Sequence, residues 1–162
     1  VDINPATRRF ENPANNVLVR VGDQADPGFL KGLVLEFGHF DILIDDGGHT
    51  TNQQITSFLH LYNCVPAGGL YLVEDTHSNY WPSFQDRRDG LTFMGLAKAL
   101  ADRLNEPYFG LKGGYSFRMD NPDRLKEIKV SRFCATTSSI TFHDSMVVFE
   151  KADKPFPRNE MR

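Results

Sequence analysis

Two pairs of acidic residues and one histidine follow two short apolar segments of the chain. These residues are Asp45, Asp46 and His49 after Ile42–Ile44, and Glu74 and Asp75 after Leu70–Val73. Carboxylates that crowd together raise one another's pKa values unless a cation neutralises them. Mg²⁺ is a hard cation that prefers oxygen ligands, so such a group would suit it. The alternative is that the acids cap the following helices and face solvent.

His49 is a candidate general base, because a neutral imidazole near pH 7 can accept the proton of a hydroxyl group. Two other interpretations remain open. His49 could be a surface or capping histidine, or it could bind a metal. As a ligand beside Asp46 and one later acid, it would resemble the facial triad of iron oxygenases. That triad needs a second histidine, for which His77 is the nearby candidate.

Several further residues could bind a cofactor or a sugar. Asp2 ends the first apolar segment, where an acid can accept hydrogen bonds from both ribose hydroxyls of a nucleoside. Asp23 and Gln24 end the next segment and could meet an adenine edge. Tyr80 and Trp81 could cover a sugar or cofactor face. Their plain alternatives are turn residues for the first three and lids over the core for the aromatic pair.

The elements that must position these groups follow from the apolar pattern. Phe40–Ile44 and Leu70–Val73 are short, branched and bounded by polar or glycine residues, which predicts strands buried on both faces. Thr50–Cys64 between them predicts a crossover helix with one apolar face. A strand–helix–strand unit is parallel, so both strands end at the same edge of the sheet, ~4.8 Å apart. The acids and His49 are therefore predicted to share one crevice.

The remainder of the chain predicts an α/β fold. Further strands are predicted at Val1–Ile3, Val17–Val21, Ser139–Phe142 and Met146–Glu150, and further helices from Pro27 to about Gly38 and from Thr92 to Leu104. Tyr108–Asn121 is predicted to be a loop, and Arg124–Ser131 fits either a short helix or an irregular strand. Alternating strands and helices indicate a mostly parallel sheet covered on both faces. A terminal antiparallel hairpin on such a sheet is typical of Rossmann-like methyltransferases.

Composition excludes several classes of protein. The chain has 162 residues, which predicts about one domain, and its net charge of −3 gives no basic field for nucleic acid. No apolar run approaches the ~20 residues that span a bilayer, and no signal peptide is visible. Cys64 and Cys134 fit neither a metal-ligand spacing nor a disulfide framework. Reduced thiols and a cytoplasmic location are expected.

Together these motifs resemble the macrocin/mycinamicin sugar O-methyltransferase family, which uses S-adenosylmethionine and a metal. The matching segments are Gly22–Asp26, Ile44–His49, Pro66–Tyr71, Val73–His77 with Tyr80 and Trp81, and Phe142–Val148. The resemblance extends from Val1 to about Lys151. It implies a Rossmann-like class I methyltransferase fold and methylation of a hydroxyl on a sugar, polyol or glycosylated secondary metabolite.

The resemblance also assigns roles to the catalytic half of the site. It implies that Mg²⁺ is bound by Asp46, Glu74 and Asp75 and orients adjacent hydroxyls of the acceptor. His49 would be the general base, and the deprotonated oxygen would attack the methyl group of the sulfonium in line.

For the cofactor, S-adenosylmethionine, the resemblance places Asp2 at the ribose and Asp45 near the methionyl end. Asp23 and Gln24 would lie near the adenine. The acceptor would be bound by His77, Tyr80 and Trp81. We expect a small-molecule sugar or polyol acceptor and neither nucleic acid nor membrane as partner; exposed aromatics in Tyr80–Phe84 and Tyr108–Phe117 could serve a homo-oligomer.

One departure from the family affects the expected activity. Such methyltransferases carry a Gly-rich loop after their first strand, whereas this chain begins at what would be the second strand. Residues 1–151 are therefore expected to form an N-terminally truncated catalytic domain, with 152–162 as a polar tail, and cofactor binding is expected to be weak. The competing functions are an inactive methyltransferase-like binding module and an iron-dependent oxygenase.

Overall fold

Helices and strands alternate through the computed structural model, which describes residues 1–109 and 130–155. The elements are α1 (Pro27–Phe37), β1 (Ile42–Asp45), α2 (Thr51–Leu61), β2 (Leu70–Val73), α3 (Phe93–Arg103), α4 (Arg132–Thr136), β3 (Thr137–His143) and β4 (Met146–Lys151). Short 3-10 turns occupy Pro5–Phe10, Pro13–Asn15, Tyr62–Cys64, Thr76–Tyr80, Pro82–Phe84 and Glu106–Tyr108. The predicted α/β class is confirmed.

The strands form one sheet in the order β1-β2-β4-β3. β1 and β2 are parallel, with Asp45 opposite Val73, so both chains leave the sheet at the same edge. β4 runs antiparallel to β2 and to β3. Both the parallel unit that joins the two acidic pairs and the terminal antiparallel hairpin are as predicted.

Side-chain caps fix where the three long helices begin. Asp26 accepts a hydrogen bond from the Gly28 N–H, with Pro27 in the first position of α1. Thr50 forms a capping box with Gln53, so α2 begins two residues after His49. This cap places the start of α2 directly beside the loop that carries the first acidic pair.

An aromatic core fills the space between the sheet and the helices. We use this name for Phe58 and the four rings around it: Tyr62, Tyr71, Phe93 and Phe149. Their centroids lie 4.6–5.7 Å from the centroid of Phe58. Strand alternation puts Tyr71 and Phe149 on the same face, directly paired across β2 and β4. Packing on this face joins all four strands to α2 and α3.

The opposite face of β1 differs from the prediction. Ile42 and Ile44 are 62% and 57% exposed, so the predicted burial of this strand on both faces is wrong. In the described ranges α1, α2 and α3 all pack on the face that carries Leu43, Tyr71 and Val73. β1 pairs only with β2 and forms an edge of the described sheet, which leaves its second face open.

The two strands predicted near the start of the chain are also wrong. Val1–Ile3 and Val17–Val21 are joined only by an isolated parallel bridge between Asp2 and Val21. The chain between them folds into 3-10 turns that begin at Pro5 and Pro13, and a proline cannot donate to a ladder. Within the described residues these segments therefore form isolated bridges, the second of which joins Val17 to Asn12.

Some expectations fall on residues that the structure does not describe. The predicted loop Tyr108–Asn121 and the undecided Arg124–Ser131 lie mostly outside the described residues, as does the chain from residue 156 onward. Ser131 itself caps α4 by accepting from the Cys134 N–H at 3.1 Å. Both cysteines are free thiols. Within 1–109 and 130–155, every helix is too short or too polar to cross a membrane.

Candidate functional site

An acidic crevice forms where β1 and β2 end, and we use this name for Asp46, His49 and Asp75. One ligand atom from each residue lies within 4.8 Å of the others. His49 Nε2 is 3.5 Å from Asp75 Oδ2 and 3.9 Å from Asp46 Oδ1. The parallel unit thus brings together residues that are 29 positions apart in the chain. Two carboxylates facing one imidazole can bind a cation or stabilise a protonated histidine.

The backbone of the crevice is strained at both strand ends. His49 and Asp75 have φ angles of 60° and 50°, in the left-handed region that residues other than glycine rarely adopt. A hydrogen bond of 2.8 Å from Ser78 Oγ to the His49 carbonyl joins the two loops. Strained backbone held by surrounding contacts is concentrated at functional sites, so these two angles support a functional role for the crevice.

Only one nitrogen of the His49 ring faces the crevice. Nδ1 is buried and has no hydrogen-bond partner among the described residues, whereas Nε2 faces the two carboxylates. The side chain is 22% exposed, so Nε2 remains accessible from the crevice. Any proton that His49 takes from an acceptor would therefore be received at Nε2.

Glu74 stands apart from the other predicted ligands. Its backbone is fixed, because its N–H donates to the Asp45 carbonyl at 2.9 Å and its own carbonyl accepts from Gln54 Nε2 at 3.0 Å. The group of ligand atoms that converges contains His49 in its place. The ligand set implied by the family and the set brought together here share Asp46 and Asp75 and differ in the third member.

Aromatic side chains lie beside Asp75. His77 Nδ1 is 3.8 Å from Asp75 Oδ1, and its ring meets Trp81 edge-on with centroids 4.8 Å apart. Trp81 also packs against Phe84 at 5.6 Å. Tyr80 and Trp81 are 63% and 49% exposed, and Trp81 is linked to the crevice through His77.

Asp45 lies on the buried side of the same turn. Burial raises the pKa of its carboxyl to about 6, opposed by the hydrogen bond from Gln24. Tyr71 lies next to it on β2, and burial raises the pKa of Tyr71 well above its usual value. Asp45 Oδ2 and the Tyr71 hydroxyl have no other hydrogen-bond partner within the described chain, and Asp45 itself helps to raise the pKa of Tyr71, so the two groups interact. Asp45 therefore marks the boundary between the crevice and the aromatic core.

A cavity of about 520 Å³ opens next to the crevice. Gln24, Asp45 and Asp46 line it together with apolar residues of α1 and β1. Asp2 and Asp23 are not among its lining residues; their carboxylates accept from the backbone N–H groups of Asn4 and Ala25 in local turns. Of the four predicted cofactor residues, the structure brings two to the cavity.

A buried polar network under the crevice escaped sequence analysis. Asn79 Nδ2 donates to Gln54 Oε1 at 2.7 Å, and Gln54 Nε2 donates to the Glu74 carbonyl. Asn79 Oδ1 accepts from the Met94 N–H at the start of α3. The available signal was Gln54, a polar residue four positions before Phe58 on the buried face of α2. The network ties α2 and α3 to the end of β2.

Comparison with known sequences gives related sugar methyltransferases, although no family model matches the chain. It is 48% identical over 88 residues to demethylmacrocin O-methyltransferase of Streptomyces fradiae, covering 52% of this chain and 22% of that protein. It is 35% identical over 154 residues to 8-demethyl-8-alpha-L-rhamnosyl tetracenomycin-C 2'-O-methyltransferase of Streptomyces olivaceus, covering 93% and 36%. The chain thus spans about a fifth to a third of the curated relatives it matches.

Solved structures give the same result. The methyltransferase MycE from the mycinamycin biosynthetic pathway, in complex with Mg, SAH and mycinamycin VI, matches with a TM-score of 0.72 and 26% identity over 94% of this chain and 35% of that one. MycE with Mg and SAH matches with a TM-score of 0.69 and 27% identity over 90% of this chain. The predicted family resemblance and the methyltransferase fold are confirmed.

Proposed function

This chain is homologous to the macrocin and mycinamicin sugar O-methyltransferases, and we propose that it methylates a sugar hydroxyl of a glycosylated small molecule with S-adenosylmethionine. The observation that supports this most is the convergence of Asp46, His49 and Asp75 where the two parallel strands end. The MycE structures that share this fold contain Mg and SAH.

The donor atoms of the crevice fit a divalent cation. Asp46 and Asp75 provide carboxylate oxygens, and Mg²⁺ in proteins is commonly bound by one or two carboxylates together with water. We propose Asp46 and Asp75 as ligands, with Glu74 as the third carboxylate that the family implies. When bound, Mg²⁺ would supply Lewis-acid chemistry that lowers the pKa of an acceptor hydroxyl and orients its neighbour.

His49 is the proposed general base. Its Nε2 would accept the proton of the acceptor hydroxyl while the oxygen forms a bond to the methyl carbon of the donor. The carbon–sulfur bond breaks as this bond forms, and its electron pair stays on sulfur. The products are a methyl ether, S-adenosylhomocysteine and protonated His49. His49 Nε2 lies 3.5 Å from Asp75 Oδ2, so the proposed base and the proposed metal ligands share one crevice.

We propose that the donor binds through the cavity beside the crevice. Asp45 would meet the positively charged methionyl end, since its carboxylate lies on the wall shared with Asp46. The proposed ribose contact is Asp2 and the proposed adenine contact is Asp23; the amide of Gln24, which the resemblance also places near the adenine, is bonded to the protein itself. The side chains of His77, Tyr80 and Trp81 would hold the acceptor sugar, because half-exposed aromatic rings offer apolar surface beside Asp75.

Methyl transfer from labelled S-adenosylmethionine to a rhamnosylated or macrolide acceptor tests the proposal. We expect transfer that stops when a chelator is added and returns with Mg²⁺. Asp46→Asn and His49→Gln should abolish it, and Asp102→Asn on the exposed side of α3 is the control. Full activity in either crevice variant would overturn the assigned roles. Acceptor binding without transfer at saturating donor would favour a binding module, and iron-dependent oxygen consumption would favour an oxygenase.

A further inference from the structure

We propose that Gln24 is a positioning residue, whose side-chain amide holds the loop that carries Asp46 and His49. The inference builds on the proposed function of the acidic crevice and adds a residue to it. The family resemblance implies an adenine contact for Gln24. The contacts of its amide indicate a different task, because both ends of the amide are bound to the protein itself.

The amide of Gln24 connects three elements. Its Nε2 donates to Asp45 Oδ1 at the end of β1, at 2.9 Å, and to Ser57 Oγ on α2, at 3.3 Å. Its Oε1 accepts from the backbone N–H of Gly48 at 2.8 Å. The loop before α1 is thereby fixed to both the strand end and the loop that follows it.

The two glycines of this loop leave room for the contact. A Cβ atom at Gly47 would lie 1.7 Å from Gln24 Oε1 and 2.7 Å from its Cδ. A Cβ atom at Gly48 would lie 2.2 Å from Gln53 Oε1. The backbone of the loop therefore lies directly on two glutamine amides, and any side chain at Gly47 would displace the first of them.

Consecutive backbone groups around His49 are held by side chains. Gly48 N–H is held by Gln24, the His49 carbonyl by Ser78 and the Thr50 N–H by Gln53 at 3.2 Å. These bonds surround a residue with a φ angle of 60°, which an unrestrained chain disfavours. Loss of the Gln24 bond would let the loop leave this conformation, and the Nε2 of His49 would lose its place opposite Asp75.

The first test measures cation affinity and loop protection in the same chain. Gln24→Met keeps the length of the side chain and removes all its hydrogen bonds. We expect its dissociation constant for Mn²⁺, followed by electron paramagnetic resonance, to rise about tenfold, as for other residues that support a metal ligand. Hydrogen exchange of the Gly48 amide should accelerate. Lys98→Met is the control, since the side chain of Lys98 is exposed on α3 and lies outside this loop.

A second variant separates positioning from general stability. Gly47→Ala should displace the Gln24 amide and weaken Mn²⁺ binding in the same way. Both substitutions break the same contact between Gln24 and the loop. The double variant should therefore bind Mn²⁺ no more weakly than whichever single variant binds it less well. Thermal unfolding of each variant shows whether a loss of affinity is merely a loss of fold.

Three results would overturn the inference. One is an Mn²⁺ dissociation constant for Gln24→Met within about twofold of the wild type, far below the usual supporting-residue effect. Another is unchanged Gly48 exchange. The third is weaker binding of S-adenosylmethionine with unchanged Mn²⁺ affinity, which would support the adenine contact. A wild-type chain that binds no Mn²⁺ would contradict the proposed function instead, and Gly48 exchange would still decide the role of Gln24.

Discussion

The aromatic core packs on β2 and β4, the acidic crevice lies where β1 and β2 end, and the two are built in opposite ways. In the core, Tyr71, Phe93 and Phe149 are 0% exposed, and the rings of all three contact the ring of Phe58 at ordinary distances. In the crevice, the side chains of Asp46 and Asp75 are 59% and 47% exposed. Two of its three residues have left-handed backbone, and like charges face one another across an imidazole.

This difference separates what stabilises the protein from what it is proposed to do. Core residues lower the free energy of the fold by burying apolar surface. The strained backbone and facing carboxylates of the crevice destabilise the fold unless a cation is bound. Functional sites commonly retain such destabilising features. Asp45 and Tyr71 form the boundary, since both are buried and the carboxyl of Asp45 acts directly on the Tyr71 hydroxyl. Substitutions in the two regions should therefore have separable effects.

The largest effect is expected in the core. Phe149→Ala should lower the free energy of unfolding by about 3–5 kcal/mol, because it removes a fully buried ring and leaves a cavity. If that variant does not fold, Phe149→Leu should, and it should lower the free energy of unfolding by about 1 kcal/mol. Urea denaturation measures both, and Leu59→Ala on the exposed side of α2 is the control. A Phe149→Leu variant with altered Mn²⁺ affinity would break the separation between the regions.

The polar network below the crevice should be the next most sensitive. Gln54→Leu leaves the Glu74 carbonyl and the Asn79 amide unpaired, at a cost of about 1–3 kcal/mol in unfolding free energy. Unlike a core substitution, it should also weaken Mn²⁺ binding, because Glu74 adjoins Asp75. Paired urea denaturation and Mn²⁺ titration test this. If Gln54→Leu loses stability but keeps its Mn²⁺ affinity, the network stabilises the fold without supporting the crevice.

Sequence analysis captured the local features of both regions. The helix starts predicted at Pro27, Thr50 and Thr92 lie within one residue of the observed starts, because the capping side chains bond to backbone only two or three residues away. The crevice followed from the two parallel strand ends. Helix starts and strand ends are determined by residues only a few positions away in the chain, so the local sequence is enough to predict them.

Features that depend on distant partners were not predictable in this way. The segments Val1–Ile3 and Val17–Val21 had the pattern of strands, but within the described residues they form only isolated bridges. The left-handed backbone of His49 is held by Gln24 and Ser78, which lie 25 and 29 residues away along the chain. Nothing in the local pattern around His49 indicates those bonds.

The strain at His49 gives a smaller and more specific prediction. His49→Gly should unfold with a free energy about 1 kcal/mol higher than His49→Ala, because glycine adopts a φ of 60° without a Cβ penalty. At an ordinary exposed position alanine would be the better residue. Urea denaturation of the two variants measures the difference, and Asp102→Gly against Asp102→Ala on α3 provides the opposite order as a control. If His49→Ala were more stable than His49→Gly, the backbone at position 49 would not be strained.

The smallest effect is a pH dependence in the core. Burial lowers the pKa of Lys151 from its ordinary 10.5, and Arg132 adds to this. Below 10.5 the unfolded chain therefore binds more protons at this position, so the unfolding free energy should rise with pH toward that value. Lys151→Met should lose this rise between about pH 8 and pH 10, and Lys98→Met should keep it. Burial raises the pKa of Cys64 and raises that of Tyr62 to about 12, and both shifts oppose the trend at alkaline pH, so the contribution of Lys151 is the difference in slope between wild type and Lys151→Met. If the unfolding free energy changes equally with pH in the wild type and in Lys151→Met, Lys151 is not the source of the rise.

The central claim is that the acidic crevice binds a divalent cation. A Mn²⁺ titration of the chain, with competition by Mg²⁺, tests it most directly when the wild type is compared with Asp46→Asn/Asp75→Asn. The account predicts one saturable ion in the wild type, displaced by Mg²⁺, and about 100-fold or greater loss of affinity in the double variant, beyond the effect of a supporting residue. Binding that the double variant retains, or a wild type that binds no ion, would contradict it.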